Sequence, residues 1–151
     1  MTTTRTRTRR TTVALAALAT ATAAFALTGC SLQQTLQHES TDTFADTAAL
    51  SADWDKSAPW LPSDATDISV HESTEGAPAS LLATSDAELD LSQCAEVDRQ
   101  SAPTFAIDGA PDAYKVDTVY ACGDWAVVPT DDGWYGWTPN DPDEKAASPK
   151  S

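Results

Sequence analysis

The sequence predicts a small, mostly β domain: an antiparallel sheet with a C-terminal three-stranded meander, minor helix and one disulfide. The clearest observation is an alternation of side chains over residues 116–122, which is typical of a β-strand. The second is that short turns separate this run from two further runs rich in Trp, Tyr and Val, residues 125–128 and 134–137. A larger share of helix, which would make the fold α+β, is the alternative.

The turns of the meander fix its register. Gly123-Asp124 suits a two-residue hairpin loop, since Gly accepts a positive φ, and it pairs Cys122 with Trp125. A four-residue turn over residues 130–133 then pairs Val128 with Tyr135. This register places apolar side chains on both faces, so part of the second face must be covered or form a patch. The first face has Val116, Thr118, Tyr120, Cys122, Trp125, Val127 and Trp134, and the second has Val119, Ala121, Ala126, Val128, Tyr135 and Trp137.

Weaker patterns lie upstream of the meander. Residues 68–70 and 79–84 are separated by turn-forming residues and predict a second hairpin. Residues 44–55 are rich in Ala and allow a short helix. Residues 90–97, which contain Cys94, are compatible with a helical turn or with a loop that crosses the sheet.

The N-terminus has the organisation of an export signal. Four arginines precede an uncharged run of 15 residues, 13–27, and the run ends in Leu27-Thr28-Gly29-Cys30. This tetrapeptide resembles the lipobox of bacterial lipoproteins. The resemblance implies that the Cys30 thiol is joined to diacylglycerol, that residues 1–29 are removed, and that the protein lies at the outer face of the cell membrane.

Two alternatives for this segment remain open. An uncleaved membrane-spanning anchor is disfavoured because a helix that crosses a bilayer needs about 20 mainly apolar residues. Arg9-Arg10 allows export by the twin-arginine route, but Thr12 stands where an apolar residue would strengthen that signal.

The charge of the chain after Cys30 limits its partners. Five basic side chains against 23 acidic ones leave a net side-chain charge of −18. Nucleic acids and anionic lipid head groups are therefore poor partners, because both need basic patches. Membrane attachment must come from the acyl chains, and the two chains of a diacylglyceryl group hold stably.

The acidic residues offer a possible metal site, but a weak one. Asp131-Asp132 and residues 141–144 supply hard oxygen ligands, yet neither run has the spacing of a twelve-residue calcium loop. High charge for solubility explains most of this composition. We therefore expect no metal and no cofactor other than the covalent lipid on Cys30.

The other two cysteines are predicted to pair. An exported protein meets an oxidising compartment, and Cys94 and Cys122 remain once Cys30 takes the lipid. Closing a loop of this size contributes about 3–4 kcal/mol in the chain-entropy estimate. A redox-active pair is the alternative, but the usual Cys-x-x-Cys spacing is absent.

Composition divides the chain into four parts. Residues 1–29 are the cleaved signal peptide, and residues 30–43 form the lipidated cysteine and a polar tether. Residues 44–139 form the folded domain, and residues 140–151 form a polar, disordered tail.

No catalytic motif stands out. His38 and His71 are not associated with a recognisable nucleophile motif, and we expect both to be solvated surface side chains. The many carboxylates leave a small envelope hydrolase as the alternative function.

The aromatic residues are the best guide to function. The five Trp residues are expected to belong mainly to the core, with Tyr135 and Trp137 as the pair to form a binding patch if the second face is open. The sequence therefore predicts a monomeric, non-enzymatic binding or accessory module for an envelope protein or glycan. Residues 60–68 and 121–125 resemble those of small actinobacterial lipoproteins, which implies an envelope location and no particular substrate.

Overall fold

The computed structural model describes residues 38–150, which form one seven-stranded sheet with every neighbouring pair antiparallel. The strands are β1 Glu39–Asp46, β2 Thr66–Ser73, β3 Ala79–Thr84, β4 Ala95–Asp98, β5 Thr118–Cys122, β6 Trp125–Pro129 and β7 Gly133–Thr138. Their order across the sheet is β1-β2-β3-β7-β6-β5-β4. The helices are α1 Thr47–Asp53, α2 Pro142–Ala147 and a 3₁₀ turn Ala113–Lys115. The predicted mostly β class is confirmed.

The meander has the predicted register. Cys122 pairs with Trp125 across the first turn, and Val128 pairs with Tyr135 across the second. Gly123 has a φ of 63°, which the first residue of a two-residue II′-type loop requires. The predicted upstream hairpin is β2–β3, and β3 pairs with β7. That pairing joins the hairpin and the meander into one sheet.

The Cys94–Cys122 disulfide is confirmed, with an S–S distance of 2.02 Å. Cys94 comes directly before β4, and Cys122 ends β5, so the bond ties the edge strand to its neighbour. The sequence predicts a helical turn or a loop over residues 90–97, but residues 95–97 of this segment form the first part of β4. Four residues are too few to show an alternation in the sequence.

Each face of the sheet has its own hydrophobic cluster. The first face packs under α1 and the segment that follows it, and this cluster contains four of the five Trp residues: Trp54, Trp60, Trp125 and Trp134. The second cluster contains Val119, Ala126, Val128, Tyr135 and Trp137. Residues 99–117, which connect β4 to β5 and which we call the strap, supply Ile107, Ala110, Ala113 and Val116 to the second cluster. All five Trp side chains are buried, so the core interpretation is confirmed.

The polar tether predicted for residues 30–43 is wrong in its C-terminal part. Strand β1 begins at Glu39 and pairs with β2 as far as Asp46, while Phe44 packs against the first cluster. Backbone hydrogen bonding to β2 does not depend on side-chain polarity, so a Ser-, Thr- and Asp-rich segment can form an edge strand. The helix expected within residues 44–55 is present but shorter, at Thr47–Asp53. Cys30 and the rest of the predicted tether lie outside the described residues, as does the predicted signal peptide.

The disordered tail predicted for residues 140–151 is also wrong, because most of it is ordered and partly buried. Helix α2 begins with Pro142 and has a capping box at its start. The Asp141 side chain accepts from the backbone N–H at Glu144, and the Glu144 side chain accepts from the Asp141 N–H. Asn140 is buried and donates to the Gly123 carbonyl over 2.8 Å. An Asp followed three positions later by Glu, with Pro at the first helical position, is the sequence signal that could have revealed this helix.

Gly136 is the point of closest approach between the sheet and the segment above its first face. A Cβ atom added there would lie 2.6 Å from the Trp60 ring, which is buried on all sides. Gly136→Ala is therefore expected to displace Trp60 and to lower the free energy of unfolding by about 1–3 kcal/mol, as overpacking does. Chemical denaturation followed by Trp fluorescence measures the change. Gly76→Ala is the matched control, because its nearest contact is an ordinary 3.4 Å. Equal stability of the two variants would contradict the packing argument.

Candidate functional site

The predicted binding patch of Tyr135 and Trp137 is wrong. Their exposed fractions are 1% and 0%, because the strap covers the second face. The Tyr135 hydroxyl donates to the Phe105 carbonyl over 3.3 Å, and the Trp137 indole N–H donates to the Ser101 hydroxyl over 2.9 Å. The side chains of the strap follow neither a helical nor a strand period, so its position on the sheet could not be predicted from the sequence.

A buried carboxylate fixes the start of the strap to α2. Glu144 is 1% exposed, and the donors to its carboxylate are the backbone N–H groups of Gln100, Ser101 and Asp141 and the Ser101 hydroxyl. Burial raises the pKa of the Glu144 carboxyl, but these hydrogen bonds outweigh the effect and hold the pKa below its ordinary range. The charge is thus stabilised by oriented donors, and the described contacts include no basic side chain on it.

The middle of the strap is held by two successive carbonyl groups. The Phe105 carbonyl accepts from Ser80 over 2.8 Å in addition to Tyr135, and the Ala106 carbonyl lies 3.0 Å from Nδ1 of His71. The other ring nitrogen of His71 lies 3.1 Å from Glu39 at the start of β1. The Phe105 ring stacks on the imidazole with 4.6 Å between centroids. His71 is therefore not a freely solvated surface residue. The other histidine, His38, is exposed and pairs with Glu75 over 3.0 Å.

A cleft of about 330 Å³ opens within the strap. Its walls are mainly apolar, and the lining residues are Pro103, Thr104, Ala106, Ile107, Ala110, Pro111, Asp112, Ala113, Tyr114 and Tyr135. Burial raises the pKa of Tyr135, against a smaller opposing effect of its contact with Ser80, so its hydroxyl stays neutral near pH 7. Tyr114 is 71% exposed, and the Arg99 guanidinium lies over its ring at 5.7 Å. This strap cleft has the size and lining of a small binding site.

A second groove, of about 430 Å³, runs beside α1. Leu50, Trp54 and Leu61 give it an apolar wall, and Lys56 lies at its margin. That lysine is already engaged, with 2.7 Å to Glu72 and 2.9 Å to the Ser73 carbonyl. Trp54 is largely buried, and its indole N–H is already engaged in a hydrogen bond to Glu72.

A third cleft, of about 450 Å³, is acidic. Asp86, Glu88 and the pair Asp131-Asp132 line it. Within residues 38–150, no group of three or more His, Cys, Asp or Glu side chains is placed to hold a metal ion. In the second acidic run, residues 141–144, the side chains of Asp141 and Glu144 cap α2.

Among residues 38–150, four carboxyl groups have a shifted pKa, and each shift is downwards. A carboxyl group that acts as a general acid needs a raised pKa. In the described chain, each carboxyl with a resolved change has a lowered pKa: Asp64, Asp90 and Asp112, chiefly through hydrogen bonds from neighbouring residues, and Glu144 as described above.

Comparison of the chain with protein families, with curated proteins and with solved structures found no match. Among the described residues, no helix is long and apolar enough to cross a membrane. The strap cleft, whose walls come from the strap and from Tyr135 of β7, is the candidate site.

The Glu144 contacts predict an acid-sensitive domain. Glu144→Gln is expected to lower the free energy of unfolding by about 1.5–3 kcal/mol, because hydrogen bonds to a charged acceptor are lost. Since the folded-state pKa is depressed, the contribution is complete above the ordinary glutamate pKa of about 4.3 and is lost as the pH falls below it. Urea denaturation at several pH values measures both effects. Asp143→Asn, at an exposed position of the same helix, is the control. The interpretation fails if Glu144→Gln shows the same acid dependence as the unaltered protein.

Proposed function

We propose that the protein is an extracytoplasmic lipoprotein, anchored to the cell membrane by diacylglyceryl-Cys30, whose domain acts as a non-enzymatic binding or accessory module. The lipobox-like Leu27-Thr28-Gly29-Cys30, which follows a basic segment and an apolar run, is the observation that carries the proposal. The disulfide agrees with it, because such bonds persist mainly in oxidising compartments.

The position of β1 limits how far the domain lies from the anchor. The described chain starts at His38, eight residues after Cys30, and eight extended residues span at most about 26–29 Å. The Thr74 N–H donates to the His38 carbonyl over 2.8 Å, so the anchor leads to the end of the sheet that has the β2–β3 turn. A lipidated Cys30 would hold the domain within about one domain diameter of the membrane.

The charge of the domain favours attachment through lipid alone. A net side-chain charge of −18 repels anionic head groups, so the surface itself adds little membrane affinity. It also disfavours nucleic acid as a partner. The partner that this surface suits is an envelope protein or a glycan, and the strap cleft supplies an apolar recess with one aromatic ring at its rim.

The anchor predicts a specific loss of labelling. Cells fed a tagged fatty acid should label the unaltered protein and not Cys30→Ala, because Cys30 is the residue whose thiol would accept the lipid. Cys94→Ala is the matched control, since it also removes a thiol but should retain the label. Persistent labelling of Cys30→Ala would refute the lipoprotein assignment.

The binding role predicts that Tyr114 contributes to partner capture. Tyr114→Ala should weaken co-purification of a partner from envelope extracts and leave the melting temperature almost unchanged, because the side chain is exposed. Leu91→Ala is the matched control, since Leu91 is 65% exposed but lies outside the strap cleft. Equal capture by the two variants would remove the strap cleft from the binding surface.

A further inference from the structure

His71 faces two hydrogen-bond acceptors at once. Its Nδ1 lies 3.0 Å from the Ala106 carbonyl, and its Nε2 lies 3.1 Å from the Glu39 carboxylate. A neutral imidazole has one N–H and can donate to one of them, which leaves a lone pair directed at the other oxygen. A protonated imidazole donates to both. The geometry therefore suits the charged ring better than either neutral tautomer.

The two acceptors belong to different parts of the fold. Glu39 is the first residue of the edge strand β1, whereas Ala106 lies in the middle of the strap and lines the strap cleft. His71 itself is on β2, on the sheet face that the strap covers. The ring thus bridges the edge of the sheet to the segment that forms the cleft.

Within residues 38–150, one charged side chain contacts His71. From β1, the charged group is Glu39, and the cross-strand neighbour there is Thr41. From β3, the neighbour is Ser80, and from the strap the contacts are the Phe105 ring and the Ala106 carbonyl. An aromatic ring stacked at 4.6 Å also favours a cationic partner.

We propose that His71 is a proton-dependent clasp on the strap. With the proton bound, the ring holds Ala106 and Glu39 together and keeps the strap closed over the second face. Loss of the proton leaves one N–H, and the charged Glu39 carboxylate is a stronger acceptor for it than the Ala106 carbonyl is. The bond to Ala106 is therefore the one that is lost, and the strap loosens at residues 104–107, which changes the wall of the strap cleft. The imidazole of His changes charge between about pH 5 and 8, a range that few other side chains share.

Amide hydrogen exchange of Ala110 in the full chain tests the clasp, because its N–H donates to the Ile107 carbonyl over 3.1 Å at the end of the segment that loosens. After correction for the pH dependence of chemical exchange, this amide should exchange about fivefold faster at pH 8 than at pH 5, the factor that corresponds to one lost hydrogen bond. His71→Gln should abolish the difference, because an amide side chain does not titrate. Identical corrected rates in the unaltered protein at the two pH values would overturn the proposal.

Glu39→Gln separates the clasp from a merely structural contact. The amide of a glutamine can donate to Nε2 of a neutral His71, while Nδ1–H still donates to Ala106, so both contacts survive without a proton. This variant should therefore keep the slow exchange at pH 8 as well as at pH 5. If it instead keeps the pH dependence of the unaltered protein, the bridge to Glu39 is not the cause and the proposal fails.

His38→Gln controls for the other histidine. His38 pairs with Glu75 at the β2–β3 turn and has no described contact with the strap. The variant should retain the fivefold difference. Loss of the difference in His38→Gln would assign the pH response to His38 and would overturn the clasp.

Discussion

The architecture depends on one constraint: the central strands of the sheet are apolar on both faces, so each face must be covered within a chain of modest length. Val127 and Leu81 point to one side, while Tyr135 and Trp137 point to the other, and all four are almost completely buried. A helix and a Trp-rich segment cover the first face. The irregular strap covers the second. Burial of large side chains is the dominant favourable term in folding, so both covers are needed for stability.

The strap covers a sheet face as a helix would, but outside its 3₁₀ turn it lacks the regular backbone hydrogen bonds of a helix or strand. Its polar groups must therefore be satisfied one by one, and the structure shows how: Glu144 binds its first amides, and the sheet residues Ser80 and Tyr135 donate to the Phe105 carbonyl. The same reasoning explains a buried carboxylate without a described basic partner. A charge that accepts several oriented N–H and O–H groups does not need an opposite charge to remain ionised.

Much of the fold could be predicted from the sequence because the meander is fixed by local chemistry. Gly123-Asp124 fixes one turn, and a one-residue slip would move every side chain to the opposite face, so the register could be predicted. The predicted face of Val116 is wrong, because this residue precedes β5 and packs against the second cluster. Strand β1 could not be predicted in the same way, because its side chains are mostly polar and its partner, β2, is twenty residues away. Helix α2 did leave a signal in Asp141-Pro142-Asp143-Glu144, but a six-residue helix has too little periodicity to outweigh a polar composition.

The site was predicted less well than the fold, and the reason is physical. The sequence indicated correctly that Tyr135 and Trp137 share an apolar face, but whether that face is open depends on a segment whose position is set by tertiary contacts alone. Because the strap covers this face, both of those aromatic side chains are buried. The exposed aromatic ring of this region is Tyr114, which belongs to the strap.

Because the strap is held by individual side-chain contacts, it is the part of the molecule whose position depends most on the protonation of single side chains. Segments that are held by a few side-chain contacts open at lower free energy than a sheet interior does. Among the contacts that hold the strap, the Glu144 carboxylate changes charge in acid, whereas the hydroxyl groups of Ser80 and Tyr135 keep their protons near neutral pH. His71 also contacts the strap, through the Ala106 carbonyl at the wall of the strap cleft. A segment that is held by individual hydrogen bonds, as the strap is, can therefore change position on the sheet more readily than a packed helix can.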